Sequence, residues 1–152
     1  MPDPTALLGT WRMVSWVREV VATGERADVL GPDPVGYIAY HADGRMMALV
    51  VRNDRVAPRG PVPTDEEKLA LFDSMLAYAG SYTLDEEKVV HHVDASWNQT
   101  WTGTDLVRFY RLEGDTLTIQ GAPAVDPHTG QEVVYLIEFR RALGLGWGAT
   151  EP

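Results

Sequence analysis

Gly9-Thr10-Trp11 opens a long run of alternating apolar and polar residues, and Phe139-Arg140-Arg141 ends the last such run of the chain. The face of an indole attracts a guanidinium, so a tryptophan on a first strand can be covered by an arginine on a last strand. Side chains alternate along a strand, so Arg141 shares the face of Phe139, and we predict that it faces Trp11. If that pair forms, the chain is a closed antiparallel barrel with an internal cavity.

Length and composition indicate a single globular domain. The chain has 152 residues, of which 45% are hydrophobic and 23% are charged. These values are ordinary for one domain with one core. We expect the barrel to occupy residues 1–143 and the glycine-rich residues 144–152 to form a flexible tail.

The composition also excludes several functional classes. The net charge of −9 argues against a nucleic-acid partner, which needs clustered lysines and arginines. No run approaches the roughly 18 apolar residues of a membrane span, and the first residues lack a secretory signal pattern. The absence of cysteine rules out disulfides and fits a cytoplasmic location. No glycine-rich phosphate loop occurs, and we expect no cofactor.

Eight stretches have the patterning and turn boundaries of β-strands. They are residues 10–23, 35–41, 45–52, 81–85, 88–96, 106–113, 116–121 and 132–141. Eight strands enclose an interior that can hold one small ligand. On the first strand we take the odd positions as the inner face, which makes Met13 and Ser15 candidate ligand contacts, although Trp16 on the other face weakens this choice.

A single helix is predicted between the third and fourth strands. Thr64 and Glu67 form a capping-box pattern, in which each side chain can bond the other residue's backbone amide. An apolar stripe at helical spacing follows, made of Leu69, Phe72, Met75, Leu76 and Ala79. The pattern predicts an amphipathic helix over residues 65–79 that is ended by Gly80.

A set of short motifs follows in order along nearly the whole chain. They are Leu8-Gly9-Thr10-Trp11-Arg12-Met13-Val14-Ser15, Pro34-Val35-Gly36-Tyr37-Ile38-Ala39-Tyr40, Asp43-Gly44-Arg45-Met46, Tyr78-Ala79-Gly80-Ser81-Tyr82, Val90-His91-His92-Val93, Trp101-Thr102-Gly103-Thr104-Asp105, Arg108-Phe109-Tyr110 and Gly114-Asp115-Thr116-Leu117-Thr118. The set resembles that of the lipocalin-like domain proteins of bacteria and fungi. The resemblance implies an all-β, eight-stranded, up-and-down barrel, closed by Gly9, Trp11 and Arg141, that binds small apolar or amphipathic molecules. Some lipocalin-like proteins of natural-product pathways act as cofactor-free cyclases or isomerases, which adds a second expectation.

His91 and His92 are the first candidates for chemistry. Adjacent strand residues point to opposite faces, so only one of them can enter the cavity. His91 shares its face with the more apolar neighbours, including Val89 and Val93, and we expect it inside. A buried neutral imidazole could transfer a proton there. The alternative is a histidine that only hydrogen-bonds within the barrel wall.

Aromatic residues supply further candidates. Trp97 and Trp101 lie at a predicted rim, where they could stack on a planar ligand or pack the core. Tyr135 falls on the predicted inner face of the last strand and is a candidate ligand contact. Tyr37 and Tyr40 point opposite ways, and we take Tyr37 as a possible catalytic phenol. Scattered tyrosines can equally be wall packing.

Two arginines could recognise an anion. Arg52 ends the third strand, where it could hold a carboxylate or enolate at the cavity mouth or lie in a solvated turn. Arg108 shares a face with apolar residues of the sixth strand. An inward Arg108 would be costly unless paired, with Glu19 or a ligand acid as possible partners, and outward placement is at least as well supported.

Three functional interpretations follow. The first is a binding protein that takes a small hydrophobic or amphipathic metabolite into the barrel. The second is a cofactor-free cyclase or isomerase that acts on a polyketide-like natural-product intermediate, with His91 and Tyr37 as catalytic groups. The third is a filled barrel, since five tryptophans and six tyrosines could occupy the interior. The expected partner is a small hydrophobic molecule, not a nucleic acid or membrane, and the protein is expected to be a monomer or homodimer.

Overall fold

In the computed structural model, which describes residues 3–142, eight antiparallel strands form a closed barrel. The elements are β1 (Gly9–Val20), β2 (Arg26–Asp28), β3 (Val35–Tyr40), β4 (Arg45–Val51), α1 (Asp65–Asp73), β5 (Met75–Leu84), β6 (Lys88–Ser96), β7 (Asp105–Glu113), β8 (Thr116–Gly121), β9 (Ala124–Val125) and β10 (Glu132–Arg141). The barrel order is β1-β3-β4-β5-β6-β7-β8-β10, and β10 returns to β1. The short β2 and β9 pair with β1 and β10. The predicted up-and-down barrel is confirmed, whereas the predicted tail, 144–152, lies outside the described residues.

Pairing of β1 with β10 closes the barrel, and an indole and a guanidinium seal one end of it. Trp11 is opposite Arg141 in the register, and the Arg141 Cζ lies 4.1 Å from the Trp11 ring centroid. The Arg141 Nη1 also donates to the Leu8 carbonyl at 3.0 Å, and the Trp11 Nε1 donates to the Leu7 carbonyl at 3.0 Å. Trp11 is completely buried, so this end of the barrel is closed.

A β-bulge changes which face of β1 points inward. The register with β10 shifts between Met13 and Ser15, so that Met13 is opposite Phe139 but Trp16, not Ser15, is the next residue on the inner face. A bulge inserts one residue into the alternation and turns the following side chains over. The prediction that Ser15 lines the interior is therefore wrong.

The helix begins where the capping box predicts and ends earlier than expected. The Glu67 amide donates to the Thr64 hydroxyl at 3.2 Å, and the Thr64 amide donates to the Glu67 carboxylate at 2.8 Å. No residue of α1 is buried. The chain from Met75 onward instead pairs with β4, and this strand pairing buries Leu76.

Gly80 lies inside β5, where β6 approaches closely, and does not cap the helix. A Cβ at this position would lie 1.9 Å from the His92 carbonyl oxygen. Glycine in a strand commonly marks such an approach. No helix in the described part of the chain is long and apolar enough to cross a membrane.

The seal between β1 and β10 can be tested with neighbouring arginines of β10. We expect Arg141→Met to lower the free energy of unfolding by about 2 kcal/mol, because it removes a charged hydrogen bond and a cation–π contact. Arg140→Met, on the exposed face, should change it by less than about 0.5 kcal/mol. Urea unfolding of the two variants measures both effects, and equal effects would contradict the observed register.

Candidate functional site

A cavity opens at the end of the barrel where β1 ends and β5 and β7 begin. Its volume is about 470 Å³. Aromatic and aliphatic side chains form most of the wall, and the principal lining residues are Trp16, Leu30, Leu76, Trp101, Arg108 and Tyr135. We call this space the mouth cavity, and its size contradicts the filled-barrel interpretation for this half of the barrel.

A smaller void of about 30 Å³ lies deeper in the barrel. It shares Trp16, Leu76, Arg108 and Ile137 with the mouth cavity and is also bordered by Met13, Tyr78 and His91. Met13 therefore contacts the deep void and not the mouth cavity. The sealed end below is filled by buried side chains. The barrel is thus packed in one half and open in the other.

His91 is the centre of a buried hydrogen-bonded chain of three side chains. Its Nε2 lies 2.7 Å from the Tyr40 hydroxyl, and its Nδ1 lies 2.8 Å from the Tyr78 hydroxyl. His91 is only 1% exposed. His92 points outward instead, with its Nδ1 2.8 Å from the Asp105 carboxylate. The structure places His91 inside, as the comparison of the two faces predicted, whereas its catalytic role stays a prediction.

Burial keeps the hydrogen-bonded side chains of Tyr40, His91 and Tyr78 uncharged at neutral pH. Burial lowers the pKa of His91 to about 3, and the positive charge of Arg108 acts in the same direction. Burial likewise raises the pKa of Tyr40 and of Tyr78, which the charge of Arg108 partly opposes. The imidazole is therefore neutral and carries one proton.

The number of protons shared by Tyr40, His91 and Tyr78 decides which hydroxyl can donate toward the deep void. A neutral imidazole donates to one tyrosine and accepts from the other. Tyr40 has no second hydrogen-bond partner among the described residues and does not border the void, so an unused Tyr40 proton would be buried and unpaired at a cost of about 1–3 kcal/mol. Tyr40 therefore donates to Nε2, and Nδ1–H donates to Tyr78. This arrangement leaves the Tyr78 hydroxyl proton available to the cavity.

Arg108 lies inside the barrel. The sequence left open whether its side chain points inward or outward, and the structure shows the inward placement. Its side chain is half-buried and borders both the deep void and the mouth cavity. Gly121 is opposite in the register, and a Cβ there would lie 3.3 Å from the Arg108 Nη1. Within residues 3–142 no carboxylate forms a salt bridge with Arg108, and Glu19 instead accepts from Arg26 at 2.9 Å. The cation is thus not neutralised by an acidic side chain in the described chain.

An aromatic cluster links the rim of the barrel to its interior. The rings of Trp97 and Trp101 meet edge to face with centroids 5.0 Å apart, and Tyr78 lies 5.6 Å from Trp101. Phe72 of α1 contacts Trp97 at 6.1 Å. Tyr135 packs against Trp16 across the mouth cavity. The three aromatic candidates Trp97, Trp101 and Tyr135 therefore do line one cavity, and their role in binding stays a prediction.

Two predicted site residues lie elsewhere. Tyr37 is 46% exposed on the outer wall, because Ile38 and Tyr40 occupy the inner face of β3; the choice of Tyr37 as a cavity phenol is wrong. Arg52 forms a bidentate ion pair with Asp54 at 2.9 and 3.0 Å and lines a surface groove beside α1. It is therefore not available to a ligand in the barrel.

Sequence reasoning missed Tyr78, Tyr40 and Trp16 as interior residues. Tyr78 was assigned to the helix, although Leu76, Tyr78 and Tyr82 also alternate as a strand does. Trp16 became an inner residue only through the bulge. No three histidine, aspartate or glutamate side chains of the described residues cluster as metal ligands would.

The model of the lipocalin-like domain matches residues 8–141. The chain belongs to the lipocalin-like domain family. No curated protein matches this lipocalin-like chain. Among solved structures, an uncharacterized protein from Bacteroides eggerthii DSM 20697 is similar to it with a TM-score of 0.44 and 11% identity, over 90% of this chain and 99% of that one.

The neutral state of His91 predicts a specific loss of stability in acid. The unfolded chain binds a proton at His91 below about pH 6.5, but the folded chain does so only near pH 3. The unfolded state therefore holds more protons between these values, and stability falls as the pH drops from 6.5 toward 3. We expect wild type to lose roughly 3 kcal/mol more than His91→Gln between pH 6.5 and pH 4.

Urea unfolding at a series of pH values measures this difference, because the contributions of all other groups cancel between the two proteins. A His91→Gln protein with the wild-type slope would contradict the assignment.

Proposed function

We propose that this lipocalin-like protein binds a small hydrophobic or amphipathic metabolite in the mouth cavity. The observation that carries the proposal is the mouth cavity itself, about 470 Å³ with mainly aromatic and aliphatic walls. Ligand pockets in proteins commonly measure about 300–1,000 Å³ and have apolar walls with a few polar groups. Arg108 supplies such a polar group here, and Tyr78 borders the deep void that adjoins the mouth cavity.

The apolar wall is sufficient to hold a ligand. A molecule that buries roughly 250 Å² of apolar surface would gain about 6 kcal/mol, before the entropy cost of association is subtracted. The indole Nε1 atoms of Trp16 and Trp97 are buried without a hydrogen-bond partner among the described residues. Both residues line the mouth cavity, so small rotations would bring these donors to an acceptor on the ligand.

Adjacent residues of β7 give a matched test of binding. Leu106 lines the mouth cavity, and Val107 is exposed on the outer wall. Leu106→Trp should fill part of the cavity and weaken binding of the neutral fluorescent probe N-phenyl-1-naphthylamine at least tenfold. Val107→Trp should leave its dissociation constant within about twofold, since surface substitutions seldom disturb a core.

Fluorescence titration of the folded proteins measures both constants. Val107→Trp controls for the added indole and for probe bound to the outer wall. If the probe fails to bind wild type, or if it binds the two variants equally well, the mouth cavity is not the binding site.

A second candidate function is a cofactor-free cyclase or isomerase that acts on a polyketide-like intermediate. The observation in its favour is the chain Tyr40–His91–Tyr78, which ends in a hydroxyl proton beside the cavity. Tyr78 could transfer its hydroxyl proton to the α-carbon of a substrate enolate, which gives a ketone and the Tyr78 phenolate. His91 Nδ1–H and the cation of Arg108 could stabilise this phenolate until it removes an α-proton from the next substrate molecule. Tyr78 here replaces Tyr37 as the phenol of the catalytic proposal.

Proton exchange tests this second function without knowledge of the natural substrate. A 1,3-dicarbonyl compound with a polyketide-like chain is incubated in D₂O, and loss of its α-proton signal is followed by NMR. If the protein catalyses proton transfer, exchange should exceed the buffer rate, and Tyr78→Phe should slow it by about 10²–10⁴-fold. Exchange at the buffer rate with wild type would remove the enzyme proposal and leave the binding proposal intact.

The cellular setting that we propose is the cytoplasm, since a chain without cysteine suits a reducing compartment. A cavity protein in that compartment would meet its ligand as a metabolite of the cell. Fractionation of the native host that expresses the protein measures its location. Recovery of the protein in the secreted fraction would contradict a cytoplasmic location.

A further inference from the structure

Building on the proposed function, we propose that the ligand is an organic acid whose anionic head group is bound by Arg108 and Tyr78 where the deep void adjoins the mouth cavity. Its apolar part would lie toward Trp97 and Trp101. The proposal narrows the ligand from any small hydrophobic molecule to a hydrophobic carboxylate or a related oxyanion.

The first argument is the charge of Arg108. The guanidinium borders two interior spaces whose other walls are mainly apolar. A cation in such surroundings is costly unless an anion pairs with it. The described residues supply no carboxylate for Arg108, while Arg18, on the same face of β1 as Trp16, has one in Asp126 at 2.6 Å. Among the described residues, Arg108 thus lacks the acidic partner that Arg18 has.

The second argument is the convergence of donors. Arg108 offers only donors, and the proton count gives Tyr78 a hydroxyl proton that no group among residues 3–142 accepts. Both side chains border the deep void of about 30 Å³, which has room for a group the size of a water molecule. Oxygen atoms with a negative charge are the acceptors that suit such a pair best.

The third argument is the space kept for the guanidinium. Gly121 is opposite Arg108, and a methyl group there would come within 3.3 Å of the Arg108 Nη1. Trp97 and Trp101 belong to the apolar wall of the mouth cavity that Arg108 also borders. An amphipathic acid would therefore enter with its charged end first and leave its chain among the indoles.

A matched pair of probes tests the proposal. Dodecanoate and 1-dodecanol have the same alkyl chain and differ in the head group, and each is titrated against N-phenyl-1-naphthylamine bound to the protein. Wild type should bind dodecanoate at least tenfold more tightly than 1-dodecanol. Arg108→Met should remove this preference and leave the affinity for 1-dodecanol within about threefold, whereas Arg108→Lys should keep part of the preference.

Two further variants separate head-group recognition from general effects. Tyr78→Phe should weaken dodecanoate about three- to tenfold more than 1-dodecanol. Arg111→Met removes an exposed arginine of the same strand and should leave the ratio of the two affinities unchanged. Arg108→Met should also melt no lower than wild type, because it removes a cation without an acidic partner.

The outcomes for the two proposals are distinct. Equal displacement by the acid and the alcohol in wild type would overturn the acid proposal, while displacement itself would still support a hydrophobic ligand. The wild-type ratio and the Tyr78→Phe ratio do not depend on whether Arg108→Met folds. A wild-type protein that fails to bind the neutral probe would overturn both proposals.

Discussion

The pairing of β1 with β10 is the constraint on which the rest of the structure depends. It joins the two ends of the chain and removes both sheet edges, so that every barrel strand has an inner and an outer face. Trp11 beneath Arg141 seals one end, and the side chains next to it pack as an ordinary core. At the opposite end the described part of the chain forms no such plug, and the mouth cavity lies there.

The division of the barrel into a packed half and an open half accounts for where the polar groups lie. Tyr40, His91 and Tyr78 form a hydrogen-bonded group at the boundary between the halves, and its one unpaired proton, on Tyr78, faces the deep void. Arg108 faces the open half, where no acidic side chain of the described residues meets it. Natural proteins accept such a loss of stability where a site needs it, and a ligand with a negative charge would restore the balance.

Features that depend on a strong preference of one residue type could be predicted from the sequence, and features decided between competing packing arrangements could not. The capping box at Thr64 and the pairing of Trp11 with Arg141 depend on residue types that carry one strong preference each. The C-terminal part of the predicted helix was wrong, because the spacing of Met75, Leu76 and Ala79 fits a helix while the same stretch also alternates as a strand. Pairing with β4 decided between them.

The candidate site shows the same limit. The relative apolarity of two strand faces was enough to place His91 inside. A single bulge places Trp16 on the inner face instead of Ser15. No residue type at that point of the sequence predicts a bulge. The sequence could not decide whether Arg108 points inward or outward. Burial of an unpaired guanidinium is unfavourable, but this argument for an outward side chain holds only when no ligand supplies the negative charge.

The position of a bound acid within the barrel tests the account most directly. Isotope-filtered NMR between unlabelled dodecanoate and ¹³C-labelled protein reports which side chains lie within about 5 Å of each end of the ligand. The account predicts contacts from the carbon next to the carboxylate to Tyr78, and from the terminal methyl group to Val29 and Leu30. Contacts to Met47 and Leu49, which are exposed on the outer wall, or a ligand with its ends reversed, would contradict it.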